Sequence, residues 1–229
     1  MTSFLDVARF LDHLMKGKHY NEKQGIYVPG KDAIRCLSLS LEPNSSLYKG
    51  VRERGIDALF LHRPWQLKRD KLPQDVGVLS YHLAFDEQLT LGYNLYLAET
   101  LSLRAPSELG YKDERPIGMI GAVDTQDFTQ VSDLIVRVFG GFEQSLATTK
   151  PIDCVAVVGA MTKKLVFEAS ARGANLYITG QWRDHAERAV RETGIGVITV
   201  GHERSEQWGL ELLAQLLEKE FPGLETQLL

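Results

Sequence analysis

The chain has 229 residues, of which 44% are hydrophobic and 24% are charged. It is therefore long enough to bury the core of one large domain or of two packed lobes, and it does not have the composition of a disordered chain. Its formal net charge of −4 argues against a mainly electrostatic attachment to nucleic acid.

The N-terminus and the cysteines indicate the compartment. Residues 1–15 carry acidic side chains and lack the basic start and apolar core of a secretory signal, and no apolar run is as long as a membrane span. Cys36 and Cys154 lie singly in apolar runs, without a Cys-x-x-Cys pattern, which indicates buried reduced thiols. We therefore expect a cytoplasmic protein without a membrane partner.

The first quarter of the chain predicts one helix, a loop, a strand and a second helix. Ser3 is placed to cap the first helix. The segment 17–32 is rich in turn formers and predicts a loop or hairpin before a strand at 33–41. Asn44 then starts a short helix that Gly55 closes.

The next part of the chain predicts two strands that each end at a histidine. The first is 57–61 and the second is 76–83. A helix is predicted at 89–103 and a loop at 104–115, so Asp86 is expected in a connection.

The second half alternates strands and helices regularly. A helix is predicted from Thr129 to Gly140, and Ser205 is placed to cap the last helix, which ends before Pro222. The remaining strands are predicted at 115–123, 153–160, 175–180 and 196–200, and the remaining helices at 162–173 and 183–194. Such alternation is typical of an α/β fold with largely parallel strands.

Histidines recur where predicted strands end. His62, His82 and His202 each follow an apolar run, with Asp86 four residues after His82 and Glu206 four residues after His202. Imidazoles and carboxylates at the carboxyl edge of an α/β sheet are suitable ligands for zinc, manganese or iron. Each motif alone is weak, because a single histidine at a strand end is more often a solvated or hydrogen-bonded residue.

Four motifs in order resemble the NIF-three-like family (NGG-one-interacting-factor-like proteins), also called the GTP cyclohydrolase 1 type 2 family. DALFLHRP and YHLAFD are similar to the family's His-His-Pro and His-x-x-x-Asp motifs. GANLYITG and VGHERSE match the sequence of the family's motifs more closely. The resemblance implies the short form of the family, with two α/β lobes and mixed, largely parallel sheets covered by helices. We place the lobes at 1–115 and 116–229 and expect them to close on each other as one compact unit.

The resemblance also implies a metal site and a ring-shaped homohexamer. Carried over by position, the metal ligands are His62, Asp86, His202 and Glu206. His82 matches a histidine that supports the ligands or faces the substrate rather than binding the metal. His185 keeps the place of another family histidine, whereas Gln181 replaces an aspartate.

Arg63 occupies the place of a ligating histidine, and an arginine cannot bind a metal. We expect it to project toward the ligands, pair with Asp86 and Glu206 and reduce the metal content. The alternative is that Arg63 turns outward to solvent and that both metals bind, with water in place of the missing ligand. One or two divalent ions per chain are compatible with the sequence. The candidates for a catalytic role beside the metal are Arg63, His82 and His185.

Three functions are compatible with these residues. The first is a metal-dependent hydrolase acting on a nucleotide or another anionic small molecule, with Arg63 gripping phosphate. The second is a metal-binding scaffold or regulatory protein without turnover. The third, a dinucleotide-binding protein, has little support, because the Gly159 turn lacks the three-glycine fingerprint and the P-loop ending.

Overall fold

The computed structural model describes residues 1–15, 20 and 22–229. In these residues the helices are α1 Phe4–Leu14, α2 Ser45–Glu53, α3 Leu83–Leu89, α4 Leu95–Thr100, α5 Phe128–Phe139, α6 Lys163–Ala171, α7 Asp184–Thr193 and α8 His202–Glu220, with a 3₁₀ helix at Arg69–Lys71. The strands are β1 Thr2–Ser3, β2 Gly25–Val28, β3 Ala33–Ile34, β4 Cys36–Ser40, β5 Ala58–Leu61, β6 Gly77–Ser80, β7 Arg104–Glu108, β8 Tyr111–Lys112, β9 Arg115–Pro116, β10 Gly118–Gln126, β11 Gln144–Leu146, β12 Ile152–Val158, β13 Leu176–Thr179, β14 Gly196–Thr199 and β15 Glu225–Leu228. Part of the loop predicted at 17–32 lies outside the described residues.

The chain forms two compact units, Met1–Phe85 with Gly209–Leu229, and Asp86–Trp208. Their limits differ from those of the predicted lobes, because the break falls inside α3 and the C-terminal residues belong to the first unit. The physical reason is that β15 pairs in parallel with β4, a long-range contact that no local pattern indicates. The α/β class with mixed, largely parallel sheets is confirmed.

The first unit is built on a sheet whose described strands are ordered β15-β4-β5-β6-β2. β2 pairs antiparallel with β6, and the other neighbours are parallel. All residues of β4, β5 and β6 are buried, as expected of strands covered on both faces. The predicted caps are confirmed, since Ser3 accepts the Asp6 N–H in α1 and Asn44 accepts the Leu47 N–H in α2.

Asp57 joins the starts of β4 and β5. Its carboxylate accepts hydrogen bonds from the backbone N–H groups of Arg35 and Cys36, at 2.7 and 3.1 Å, and lies 2.6 Å from Lys31 Nζ. Burial alone would raise the pKa of Asp57, but the Lys31 ammonium and the two N–H donors together hold it below its ordinary value of 3.8. The folded protein therefore stabilises the charged carboxylate.

Asp57→Asn should lower the free energy of unfolding by about 1–3 kcal/mol at neutral pH, because the bonds to a charged acceptor are lost. A depressed folded pKa means that the wild type has this advantage above pH 3.8 and loses it as the pH falls through the still lower pKa of the folded state. Urea unfolding at neutral and acidic pH measures the difference, with the exposed Asp70→Asn as control. An advantage that persists unchanged in acid would contradict this assignment.

The second unit is built on a sheet whose described strands are ordered β11-β14-β13-β12-β10-β7. β12, β13 and β14 are parallel, and β11, β10 and β7 pair antiparallel at the two sides. Alternate residues of β13 enter opposite cores, since Leu176 and Ile178 pack in one and Tyr177 in the other. The three parallel strands therefore end at one edge, each followed within two residues by a glycine, namely Gly159, Gly180 and Gly201.

Three local predictions in this unit were wrong. Asp86 lies inside α3 rather than in a connection, and the helix predicted at 89–103 is shorter, because Asn94 accepts the N–H groups of Tyr96 and Leu97 and so starts α4. The segment 104–115 is not a loop, because it forms the strand β7 against β10 and enters the hairpin β8–β9. Strands with polar, exposed side chains show no hydrophobic alternation, so their pairing was not visible in the sequence.

The start of α8 also differs from the prediction. The helix begins at His202, so Ser205 lies in its first turn and does not cap it. The Ser205 hydroxyl instead donates to the His202 carbonyl at 2.8 Å. The predicted ends of α5, α6 and α7 are confirmed, because Gly140, Gly173 and Gly194 adopt positive φ angles there.

The two cysteines are free thiols. Burial raises the pKa of Cys36 to about 11 and also raises the pKa of Cys154. Both thiols are therefore protonated at neutral pH and are poor nucleophiles. Separately, none of the helices in the described residues combines the length and the hydropathy that crossing a bilayer requires.

Candidate metal centre

His62 follows the buried strand β5 and is itself fully buried. Its Nδ1 lies 3.2 Å from the carbonyl oxygen of Tyr81, so we assign the proton to Nδ1 as the donor of this bond. Nε2 then carries the lone pair, which is the form in which a neutral imidazole binds a metal. The Tyr81 side chain donates to Asp12 at 2.6 Å, and burial raises its pKa, so it remains protonated.

His82 is oriented by a carboxylate that the sequence did not indicate. Its Nδ1 lies 2.9 Å from Glu22 Oε2, and the other oxygen of Glu22 accepts the Leu83 N–H at 2.7 Å. The Glu22 carboxylate favours the proton on Nδ1 and leaves Nε2 of His82 as the lone-pair nitrogen. Trp65 stands edge-on to this ring at 5.0 Å and is 66% exposed.

His62, His82 and Asp86 bring one ligand atom each to within 4.8 Å of the others. Ligands held tetrahedrally at 2.0–2.2 Å from one ion lie about 3.3–3.6 Å apart, so the three atoms would have to approach one another by up to roughly 1.5 Å to bind the same ion. His82 and Asp86 are four residues apart at the start of α3. The structure therefore gives His82, which we had expected to support the ligands, a position among them.

A second group of predicted ligands lines a cavity of about 160 Å³ in the second unit. Asp86, His202 and Glu206 all border this cavity, so Asp86 belongs to both groups. His202 Nε2 lies 3.3 Å from Glu206 Oε1. That is also the separation, roughly 3.3 Å, of two ligands held tetrahedrally at 2.0–2.1 Å by one ion. The distance between His202 and Glu206 is therefore compatible with binding to one ion.

Two of the strand-end glycines, Gly159 and Gly180, border the same cavity. A Cβ on Gly180 would lie 3.4 Å from His202 Nδ1, whereas a Cβ on Gly159 would meet only the Leu91 carbonyl at 3.9 Å. Next to Gly159, the carbonyl of Ala160 accepts the Tyr177 hydroxyl at 2.6 Å. Burial raises the pKa of Tyr177, so this hydroxyl keeps its proton and holds the cavity wall in place.

The other predicted site residues have different surroundings. Arg63 Nε donates to Glu42 Oε1 at 2.7 Å, a partner that the sequence did not indicate. His185 is exposed on α7 and is not among the described residues that border the cavity, and Gln181 is also exposed.

A buried ion pair next to Asp86 was missed by the sequence reasoning. Arg115 Nε lies 3.0 Å from each carboxylate oxygen of Glu87, and both side chains are less than a tenth exposed. Glu87 follows Asp86 on α3 and borders the cavity. The signal in the sequence that could have indicated this pair is the adjacency of Asp86 and Glu87, because a carboxylate buried on a short helix needs a cation as its partner.

Comparison with known proteins identifies the family of the chain. The family model described as Duf34/NIF3 (NGG1p interacting factor 3) matches residues 4–229. A protein named GTP cyclohydrolase 1 type 2 homolog from Pseudomonas aeruginosa is 25% identical over 95% of this chain and 89% of its own length. A protein of the same name from Deinococcus radiodurans is 26% identical over 98% and 91%.

A solved structure titled as protein ybgI, of unknown function, superposes with a TM-score of 0.79 at 18% identity, over 100% of this chain and 98% of its own. At this identity the likeness shows the fold. The match of the family model to nearly the whole sequence shows more, and the chain belongs to the Duf34/NIF3 family.

Proposed function

We propose that the protein binds a divalent metal ion through His62, His82 and Asp86 and uses it to hydrolyse an anionic small molecule, such as a nucleotide. The observation that carries this proposal is the approach of the three ligand atoms to within 4.8 Å. The hydrogen bonds at Nδ1 of both imidazoles support it, because ligating histidines commonly donate their other N–H to a carboxylate or a carbonyl. A cyclohydrolase-like reaction is supported by the name of the relatives, GTP cyclohydrolase 1 type 2 homolog.

His202 and Glu206, with Asp86, are the ligands that we propose for a second ion, which is held more weakly in the wild type because of Arg63. The donor set of imidazole nitrogens and carboxylate oxygens suits zinc, manganese or iron. A bound ion of this kind polarises a carbonyl or phosphoryl oxygen, or lowers the pKa of a bound water toward neutrality. The protein's own part is to orient the ligands, His82 by Glu22 and His62 by the Tyr81 carbonyl.

Arg63 sets the number of ions in this proposal. It takes the place of a family histidine and brings a permanent positive charge next to His62, with Glu42 as a partner at 2.7 Å. We therefore expect at most about one tightly held equivalent per chain, and an increase toward two in Arg63→His, which restores an imidazole and removes the charge. Elemental analysis of both proteins, purified without chelator, measures the metal. Two equivalents in the wild type would contradict this role of Arg63.

The same preparations test the hydrolase. Retained metal, together with turnover of GTP that stops when a chelator removes the metal, is the expected result. Retained metal without turnover of any nucleotide tested would favour the alternative of a metal-binding scaffold or regulatory protein. A wild type that holds no metal, even after zinc or manganese is added, would overturn both.

Assembly and location are further parts of the proposal. We expect a homo-oligomer, a hexamer in accordance with the family resemblance, and light scattering that gives a monomer mass at micromolar concentration would contradict it. A cytoplasmic location is supported by the two free, protonated thiols.

A further inference from the structure

Lys112 is the one lysine or arginine among the described residues that border the cavity of the second unit. It is an exposed residue of β8, and β8 pairs with β9 in the register Lys112↔Arg115. Three carboxylates border the same space, namely Asp86, Glu206 and Glu87, and the last of these is paired with Arg115. The cavity therefore combines one lysine with the two carboxylates that we propose as metal ligands.

The turn that follows Lys112 has an energetically unfavourable backbone conformation for the residue types that form it. Asp113 and Glu114 connect β8 to β9 with φ angles of 48° and 63°. Two consecutive left-handed residues form the tightest type of hairpin turn, which glycine and asparagine normally occupy. Such conformations persist where the surrounding structure imposes them, and they cluster at ligand sites.

The buried pair of Arg115 and Glu87 anchors the end of this turn, and Arg115 Nη2 also lies 3.6 Å from Asp113 Oδ2 within it. Arg115 is the residue directly opposite Lys112 in the hairpin, and its guanidinium contacts both oxygens of Glu87 at 3.0 Å. Glu87 in turn follows Asp86 on α3. The pair therefore fastens the hairpin to the helix that carries a metal ligand, and it keeps Lys112 at the cavity.

We propose that Lys112 binds the anionic group of the substrate, a phosphoryl or carboxylate oxyanion, beside the metal. This inference rests on the proposed function, because an ion held by Asp86 and Glu206 would balance their charges and leave Lys112 as the excess positive charge. The cavity of about 160 Å³ is smaller than the roughly 300–1,000 Å³ of a site that encloses a whole ligand. It therefore accommodates a charged end group, with the rest of the molecule outside.

The test is calorimetric titration of inorganic phosphate, and separately of acetate, into protein kept saturated with manganese, so that the more weakly held ion is also present. Lys112→Ala should weaken binding of the preferred anion by at least about tenfold, whereas Lys112→Arg, which keeps the charge, should stay within about threefold of the wild type. Lys219→Ala on α8 removes the same charge from an exposed position that does not border the cavity, and it should bind like the wild type. Tighter binding of phosphate or of acetate identifies the oxyanion.

The outcomes separate this inference from the proposed function. Equal affinities of wild type and Lys112→Ala, or no binding of either anion by metal-loaded wild type, would overturn the role of Lys112 and leave the metal site intact. Loss of affinity in Lys219→Ala as large as in Lys112→Ala would also overturn it, since net charge alone would then explain the effect. If the wild type binds neither manganese nor zinc, the proposed function fails, and the same comparison on the metal-free protein decides the role of Lys112.

Discussion

Asp86→Ala should remove nearly all tightly bound metal from the protein. Asp86 is the residue common to the cluster with His62 and His82 and to the cavity with His202 and Glu206. Its loss should weaken metal affinity by more than about 100-fold, because the loss of groups that only support a ligand already costs roughly 10–100-fold. Elemental analysis and calorimetric titration of zinc into the chelator-treated protein measure the change.

Asp133→Ala, an exposed substitution on α5 in the same unit, is the matched control and should keep the wild-type metal content. Circular dichroism of Asp86→Ala should show a folded protein, since the change removes a carboxylate and leaves the apolar core unaltered. Wild-type metal affinity in folded Asp86→Ala would eliminate Asp86 as a ligand and with it the metal centre proposed above.

Arg115→Met should lower the free energy of unfolding by about 3–5 kcal/mol, because Glu87 would remain as a buried carboxylate after losing the guanidinium that contacts both of its oxygens. This is a large fraction of the stability of an ordinary domain, so the variant should unfold at much lower urea concentrations than the wild type. Urea denaturation followed by circular dichroism measures the loss.

The double variant Arg115→Met/Glu87→Leu tests whether the two side chains act as a pair. Replacing both members of a buried ion pair with apolar groups is often neutral or stabilising, so the double variant should recover most of the lost stability. Arg188→Met, which removes an exposed partner of Glu192 on α7, should change stability by less than about 1 kcal/mol. A double variant that is less stable than Arg115→Met would show that the two side chains do not act mainly as a pair.

The elements that local physics determines were predictable. Ser3 and Asn44 cap α1 and α2 because a side-chain oxygen at that position satisfies an N–H group of the first turn. Gly140 and Gly194 end α5 and α7 because they adopt positive φ at little cost. The strands that end near His62 and His202 were also predictable, since they are short apolar runs bounded by polar residues.

Elements that depend on a distant partner were not predictable. β15 forms against β4 nearly 190 residues earlier in the sequence, as the hydrogen bond from Ser38 Oγ to the Gln227 carbonyl illustrates. β7 is polar and exposed, so its pairing with β10 is a backbone interaction without a side-chain signature. For the same reason, the residue pattern alone predicted a loop at 104–115.

By itself, the sequence determined the α/β class, the family resemblance and the candidate ligands His62, Asp86, His202 and Glu206, because these depend on local runs and on spacing along the chain. Only the tertiary structure decided which side chains contact one another. It placed the ring of His82 beside that of His62 and within hydrogen-bond distance of Glu22. It also paired Arg63 with Glu42, and Arg115 with Glu87 in a buried ion pair. Ligand geometry and ion pairs are set within a few ångströms by residues far apart in sequence, and no local pattern carries that information.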